Sequence, residues 1–205
     1  VDLWAKAQNC AVLEPERIKH VSGALLAGQT VRYWSPWPVA GVSPAGVEKA
    51  DPPEAADFAL TLTPQGGALH LVPRIGVLGV GCRRGTTARQ LEEAFAAFCA
   101  ASGLSPAAVC AAASIDLKKD EPGLAAFCKA HGWPITFYPA DELRAVPGQF
   151  TPSAFVASVT GVDNVCERSA VKASGGTLLL PKTAGGGVTL ALAVRPFAPD
   201  WRTEQ

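Results

Sequence analysis

The sequence predicts an α/β protein: a three-layer α/β/α domain with a mixed sheet, preceded by a small N-terminal α+β module. Apolar residues make up 48% of the chain and charged residues 18%, which is typical of a folded globular protein. From residue 74 onward, buried-strand patterns alternate with helical patterns, and a closing hairpin makes the sheet mixed. We therefore divide the chain into residues 1–73 and 74–205.

The N-terminal module is predicted from short patterns separated by a segment rich in Pro and Gly. Its predicted elements are a helix at 15–26, strands at 31–34, 58–62 and 68–72, and a loop at 35–53. Gly28 is placed to end the helix. The turn at 63–67 predicts that the last two strands pair as a hairpin.

The second domain is predicted from strands and helices that follow each other in turn. The predicted strands are 75–80, 109–115, 135–138, 177–180 and 188–194, the last two forming a hairpin. The predicted helices are 86–101, 121–131, 152–159 and 164–173. Thr86 or Thr87 is a suitable N-cap for the first helix, and Gly103 ends it.

Composition excludes several classes of protein. The formal charge is +0, from 18 basic and 18 acidic residues, so we expect neither a nucleic-acid partner nor a membrane surface. No apolar run is long enough for a bilayer span and no leader opens the chain, which predicts a cytoplasmic protein. The six cysteines form no CxxC pair and no Cys/His cluster, so we expect reduced thiols and no metal site.

The sequence contains no Met, not even at position 1. Val1 is therefore not expected to be the natural start, and we expect the chain to be a fragment of a longer protein.

The junction from the strand through Gly81-Cys-Arg-Arg-Gly85 into a helix is a candidate anion site. A glycine loop before a helix directs backbone N–H groups toward one point, and Arg83 and Arg84 add donors suited to carboxylate or phosphate. Thr86 follows directly. A tight turn with solvated arginines is the alternative. The spacing GxGxxxG is only a partial dinucleotide motif, and the Lys of a P-loop is missing.

A second motif, residues 114–122, follows the second strand of this domain, on the side where open α/β sheets bind ligands. Asp116 is a candidate base or water-orienting group, and Lys118 is a candidate anion contact. The alternative is a solvated loop and a helix start, because Asp120 and Glu121 suit a first helical turn.

A third motif, residues 160–168, places a helix cap before charged side chains. Asp163 or Asn164 can cap the helix, and Glu167 and Arg168 follow about one turn later as an acid/base group beside a cation. Cys166 has a carboxylate neighbour and no evident base, so we do not interpret it as a nucleophile. The following segment, 181–187, is interpreted as a hairpin tip carrying Lys182, either a lid or a loose turn.

Together these segments resemble the CbiG/CobE family of cobalamin biosynthesis, which includes the cobalt-precorrin-5A hydrolases. The residues that carry the resemblance are 79–85, 114–123, 151–153, 160–167 and 180–183, within a match over about 74–194. Residues 1–73 resemble the central region of the family, and the N-terminal domain of its longer members is missing here.

The resemblance implies a cobalt-corrinoid intermediate as substrate, whose δ-lactone is opened with loss of acetaldehyde. Cobalt then arrives with the substrate, so no other cofactor is expected. Asp116 or Glu167 would activate the water, and the N–H groups of the glycine loop would stabilise the oxyanion. The expected substrate-binding residues are Gly81, Arg83, Arg84, Thr86, Lys118, Asn164, Arg168 and Lys182.

These assignments require the three motifs to converge at one end of the sheet as a cationic pocket for a polyacidic macrocycle. Two other functions remain open: a tetrapyrrole-binding or carrier protein without turnover, and a nucleotide-binding domain. A homodimer also remains open as an assembly state.

Overall fold

The computed structural model describes residues 1–153, 158 and 160–202. Contacts divide the chain into two compact units. The first comprises Val1–Arg74, Gly103–Ala108 and Phe197–Gln205, and the second comprises Ile75–Ser102 and Val109–Pro196. Most of the predicted helix 152–159 lies outside the described residues.

The first unit is built on one five-stranded sheet. Its elements are α1 (Asp2–Ala7), β1 (Cys10–Val12), α2 (Ile18–Leu26), β2 (Val31–Trp34), β3 (Val47–Lys49), β4 (Phe58–Leu60) and β5 (Leu69–Pro73). The strand order is β1-β5-β4-β2-β3. An aromatic cluster fills its core: Trp4 stacks on Trp201 with ring centroids 4.7 Å apart and meets Phe58 edge-on.

The predicted hairpin between the last two strands of this unit is wrong. β4 and β5 pair in parallel, with Phe58 opposite Leu69 and Leu60 opposite Leu71. Because β4 is only three residues long, residues 61–68 can carry the chain back to its starting end before β5 begins. The glycine-rich turn therefore belongs to a return loop.

The second unit is a five-stranded mixed sheet flanked by helices. Its elements are β6 (Gly76–Cys82), α3 (Ala88–Ser102), β7 (Val109–Ile115), α4 (Pro122–His131), β8 (Ile135–Tyr138), α5 (Ala140–Arg144), α6 (Val165–Ser174), β9 (Thr177–Gly185) and β10 (Val188–Val194). The strand order is β8-β7-β6-β10-β9, with β6, β7 and β8 parallel and the closing hairpin antiparallel. The predicted α/β class with a mixed sheet is confirmed.

Helices cover both faces of this sheet. A Cβ on Gly79 would clash with the backbone of Cys166, so α6 packs on the face toward which residue 79 is directed. Leu190 pairs with Val80, one residue further along β6, and lines a groove with Phe98 of α3. Since successive residues of a strand face opposite sides, α3 lies on the other face, and α4 packs against α3.

The helix ends follow the expected capping chemistry. Thr87, rather than Thr86, precedes α3, and it exchanges hydrogen bonds with Gln90: the Thr87 N–H donates to the Gln90 Oε1 at 2.9 Å, and the Gln90 N–H donates to the Thr87 Oγ1 at 3.2 Å. Pro122 occupies the first turn of α4, and Gly132 ends that helix with φ of 68°.

Among the α-helices and strands of the described residues, the sequence does not predict α1, β1, β3 and α5. In addition, β9 extends to Gly185, so Pro181, Lys182 and Thr183 lie within a strand rather than in a loop over the site. The turn of the hairpin is confined to Gly186 and Gly187, both with positive φ.

Within the described residues, no helix combines the length and apolar character needed to cross a membrane.

Candidate functional site

The glycine loop after β6 is held by Glu121, the residue that precedes α4. The Glu121 Oε2 accepts the backbone N–H of Gly85 at 2.8 Å, and its Oε1 accepts the Lys118 Nζ at 3.2 Å. Glu121 is only 8% exposed. The hydrogen bond from Gly85, supported by the charges of Lys118 and Arg84, lowers the pKa of Glu121 below its ordinary value. Glu121 therefore remains a carboxylate.

The backbone N–H groups of this loop are mostly occupied within the chain. The Arg83 N–H donates to the carbonyl of Gly187 at 3.0 Å, and the Thr86 N–H donates to the carbonyl of Arg83 at 3.3 Å. The Thr86 hydroxyl also donates to the Arg83 carbonyl, at 2.8 Å, and Thr86 is buried. With Gly85 bonded to Glu121, the loop offers few free N–H donors. Thr86 therefore shapes the loop from the inside.

The side chains of Arg83 and Arg84 are exposed on this loop. No ion pair forms at either guanidinium group within the described part of the chain. The Arg83 stem runs along Gly187, where a Cβ would lie 2.9 Å from the Arg83 Cδ. Two forked cationic donors are thus presented to solvent from a loop fixed at both ends.

Asp116 begins a short 3₁₀ turn directly after β7 and is half-buried. Its backbone carbonyl accepts the Lys119 N–H at 3.0 Å. Its carboxylate has no hydrogen-bond or ion-pair partner among residues 1–153, 158 and 160–202. Asp116 therefore combines partial shielding from water with an available carboxylate.

Cys82 ends β6 beside this cluster. Burial raises the pKa of its thiol, against the opposing effect of the nearby Lys118. Burial also raises the pKa of Cys166 to about 11. Both groups are therefore thiols near neutral pH, which argues against a cysteine nucleophile.

Glu167 is fully buried at the start of α6 and serves as a backbone anchor. Its Oε1 accepts the Lys182 N–H at 2.7 Å and its Oε2 accepts the Thr151 N–H at 2.8 Å. Asn164 caps the helix by accepting the Glu167 N–H at 2.9 Å, and its Nδ2 donates to the carbonyl of Thr151 at 2.8 Å. The Lys182 Nζ also donates to the carbonyl of Thr151, at 3.2 Å. These contacts fasten residue 151 and β9 to α6.

Arg168 is bonded to Asp163 and to the segment at the end of α5. Its Nε donates to the Asp163 Oδ1 at 2.8 Å, and its Nη1 donates to the carbonyls of Leu143 and Val146 at the end of α5. The guanidinium group also lies 4.5 Å from the Phe150 ring centroid. The hydrogen bond from Arg168 lowers the pKa of Asp163. The Nε and Nη1 donors of Arg168 are thus occupied by other parts of the chain.

The three motifs meet at the edge formed by the carboxyl ends of β6 and β7. Val165, the first residue of α6, packs with Ile115 at the end of β7. The Thr189 hydroxyl donates to the carbonyl of Gly81 at 3.3 Å and is hydrogen-bonded to Cys166. The backbone segments of the three motifs therefore lie close together, but their charged side chains fall into two groups. Arg83, Arg84, Lys118 and Asp116 lie on the loops, while Glu167 and Arg168 bond inward.

Glu121 is the site residue that sequence reasoning missed. The sequence predicts only an ordinary acid at the start of a helix here. A signal was present, since Glu121 immediately precedes Pro122 and lies three residues after Lys118, the spacing of a helical neighbour. Its partner Gly85 is distant in sequence, and only the fold brings the two together.

Family comparisons match both parts of the chain. Residues 76–193 match the family described as Cobalamin synthesis G C-terminus, CbiG_C. Residues 1–75 match the family described as Cobalamin biosynthesis central region, CbiG_mid. The first match alone covers more than half of the chain and contains every residue of the site described above.

Three curated proteins that are similar to this chain have names linked to the same family. The chain is 36% identical over 126 residues to a cobalt-precorrin-5A hydrolase of Priestia megaterium and 37% identical over 124 residues to one of Salmonella typhimurium. These matches cover 61% and 60% of this chain but only 33% and 35% of the relatives. The chain thus spans about a third of the length of the curated hydrolases that it matches. The protein CobE of Sinorhizobium sp. is 32% identical over 57% of this chain and 78% of its own length.

Solved structures agree with the fold. The crystal structure of CobE, a protein from the cobalamin (vitamin B12) biosynthetic pathway, superposes with a TM-score of 0.55 at 32% identity, over 60% of this chain and 92% of that one. A putative cobalamin biosynthesis protein G homolog from Sulfolobus solfataricus, at 16% identity, shares the fold with a TM-score of 0.51 over 96% of this chain and 60% of that one. The glycine loop and the motifs at residues 114–122 and 160–168 thus lie in a chain that belongs to the CbiG family of cobalamin biosynthesis.

Proposed function

We propose that this chain acts on a cobalt-corrinoid intermediate of cobalamin biosynthesis and supports hydrolysis of the cobalt-precorrin-5A lactone with loss of acetaldehyde. The observation that carries the proposal is the pair of exposed arginines, Arg83 and Arg84, on a loop fixed by Glu121 at the carboxyl edge of the sheet. This edge is where open α/β sheets bind ligands. The names of the curated relatives support the reaction assigned.

The binding chemistry suits a polyacidic macrocycle. Arg83 and Arg84 can each take a carboxylate through two parallel N–H donors. Lys118, held by Glu121, adds positive charge at the same edge. Because the chain carries no net charge, this local cluster would have to provide the attraction for an acidic ligand.

We assign the activation of water to Asp116 rather than to Glu167. A general base needs a carboxylate that can reach a water molecule, and the Asp116 carboxylate is half-exposed with both oxygens available. Both oxygens of Glu167 already accept backbone N–H groups in a fully buried position. We therefore assign to Glu167 and Asn164 the positioning of α6 and β9, with Lys182 and Arg168 contributing to the same framework.

The oxyanion of lactone opening requires donors that face the substrate. The glycine-loop N–H groups are largely bonded within the chain, so we assign this role to the guanidinium N–H donors of Arg83 and Arg84 that a bound carboxylate leaves free. Water would add to the lactone carbonyl as Asp116 accepts one of its protons. The bond between the carbonyl carbon and the ring oxygen would then break, and Asp116 would return the proton to that oxygen, which leaves as an alcohol. Acetaldehyde would follow when this hydroxyl loses its proton and the C–C bond between its carbon and the macrocycle breaks, with the electron pair and a proton passing to the macrocycle.

Release of acetaldehyde from the cobalt lactone intermediate tests this proposal. It is measured for the chain alone and for the chain supplemented with the remaining part of a hydrolase relative. We expect Asp116→Asn to reduce the rate by about 10²-fold or more. Asp120→Asn, an exposed acid on the same turn, is the matched control and should retain the parental rate. Full activity of Asp116→Asn, or tight binding of the intermediate without any product, would refute the hydrolytic assignment.

A further inference from the structure

A groove runs between α3 and the β9–β10 hairpin, within the second unit. Its volume is about 460 Å³. Buried Phe98, Val188 and Leu190 form its floor, so the base is apolar. Its walls carry small residues on both sides, Ala94 and Ala97 among those of α3 and Ala184 among those of the hairpin.

The groove ends beside the cationic loop. Gly185, Gly186 and Val188 line it, and Gly187 between them accepts the Arg83 N–H and lies against the Arg83 side chain. The groove lining thus reaches both neighbours of Gly187, and the exposed Arg83 side chain lies against Gly187. Glu93 is the charged member of the lining, and Arg89 neutralises it at 2.8 Å.

We infer that this groove binds the apolar edge of a macrocyclic tetrapyrrole while Arg83 holds a peripheral carboxylate of the same ligand. The inference rests on the proposed function and adds a subsite to it. The argument is one of complementarity. A corrinoid combines a rigid, largely apolar ring with carboxylates on its rim, and the groove combines an apolar floor with a cation at one end. Small wall residues leave room for a flat edge, as in ligand clefts of this size range.

A substitution that fills the groove tests the inference. Ala97→Trp places an indole on the α3 wall, and Ala184→Trp does the same from the hairpin. Ala96→Trp is the matched control, because Ala96 is exposed on the same helix but does not line the groove. Thermal unfolding of each variant establishes that the fold is retained.

The probe is cobyrinic acid, a cobalt corrinoid with free peripheral carboxylates, and its dissociation constant is measured by its visible absorbance. We expect Ala97→Trp and Ala184→Trp each to weaken binding by about tenfold or more, while Ala96→Trp stays within about twofold of the parent. Parental affinity in both groove variants would overturn the inference and leave the proposed function standing. Absence of binding by the parent protein would overturn both.

Discussion

The carboxylate of Glu121 accepts the backbone N–H of Gly85 at 2.8 Å and thereby joins the loop after β6 to the start of α4. Gly85 has φ of +75°, a conformation that favours glycine. Gly123 brings the first turn of α4 close to the carbonyl of Thr86, where no side chain would fit. The two arginines of the loop are therefore presented from a support that is fixed on both sides.

We predict that Glu121→Gln lowers the free energy of unfolding by about 1–3 kcal/mol near neutral pH, because a buried charge-assisted hydrogen bond is lost. The pKa of Glu121 is lowered in the folded protein. Its contribution is therefore complete above the unfolded pKa of about 4.3 and is lost as the pH falls through the lower folded value. Urea unfolding of parent and variant across this range measures the effect. If the difference in unfolding free energy between parent and variant did not change with pH, the ionised Glu121 carboxylate would not be the source of the stabilisation.

Gly79 should be intolerant of any side chain. A Cβ there would overlap the carbonyl of Cys166, and both belong to packed elements that have no room to move apart. We expect Gly79→Ala to destabilise the protein by about 4 kcal/mol or more, or to prevent folding. Gly185→Ala is the control, because nothing lies within 4 Å of the added methyl group. Thermal unfolding compares the two variants, and equal stability would show that α6 does not lie over β6 as described.

Glu167 should behave as a structural anchor. In Glu167→Gln the amide NH₂ faces a backbone N–H donor from Thr151 or Lys182, so one buried donor loses its acceptor. We expect a loss of about 1–3 kcal/mol in unfolding free energy. Glu142→Gln removes an exposed ion pair with Lys172 and should cost about 1 kcal/mol or less. If Glu167→Gln kept full stability and lost only acetaldehyde release, Glu167 rather than Asp116 would be the base.

Arg168 is expected to stabilise the end of α5 without taking part in binding. Arg168→Ala removes donors to the carbonyls of Leu143 and Val146 and the ion pair with Asp163. The melting temperature should therefore fall while the affinity for cobyrinic acid, measured well below the melting transition, stays within about twofold of the parent. A large loss of affinity for cobyrinic acid in a stably folded variant would show that Arg168 contributes to substrate binding.

Sequence patterns predicted the second unit closely because its elements carry strong local signals. β7 and β8 were predicted with the observed bounds, since β-branched and small apolar residues form short runs between turns. The parallel pairing of β4 with β5 was missed because a glycine-rich turn between two strands indicates a hairpin locally, whereas strand pairing depends on the whole sheet.

The site shows the same division between local and long-range information. Capping by Asn164 could be predicted from its neighbours. The hydrogen bonds from Thr151 and Lys182 to Glu167 could not be predicted, because those partners are distant in sequence and no local pattern specifies them. The sequence motif therefore suggests that Glu167 and Arg168 contact the substrate, whereas in the fold both side chains bond backbone groups of other segments.

Binding of cobyrinic acid to the double variant Arg83→Gln/Arg84→Gln tests the central claim most directly. Both side chains are exposed, so the variant should keep the parental melting temperature. We predict that its affinity falls by about 10²-fold at low salt and that the dependence of binding on ionic strength weakens, because two carboxylate contacts are lost. Lys129→Gln, which removes an exposed charge in the last turn of α4, should bind as the parent does. Parental affinity and salt dependence in the double arginine variant would contradict the account.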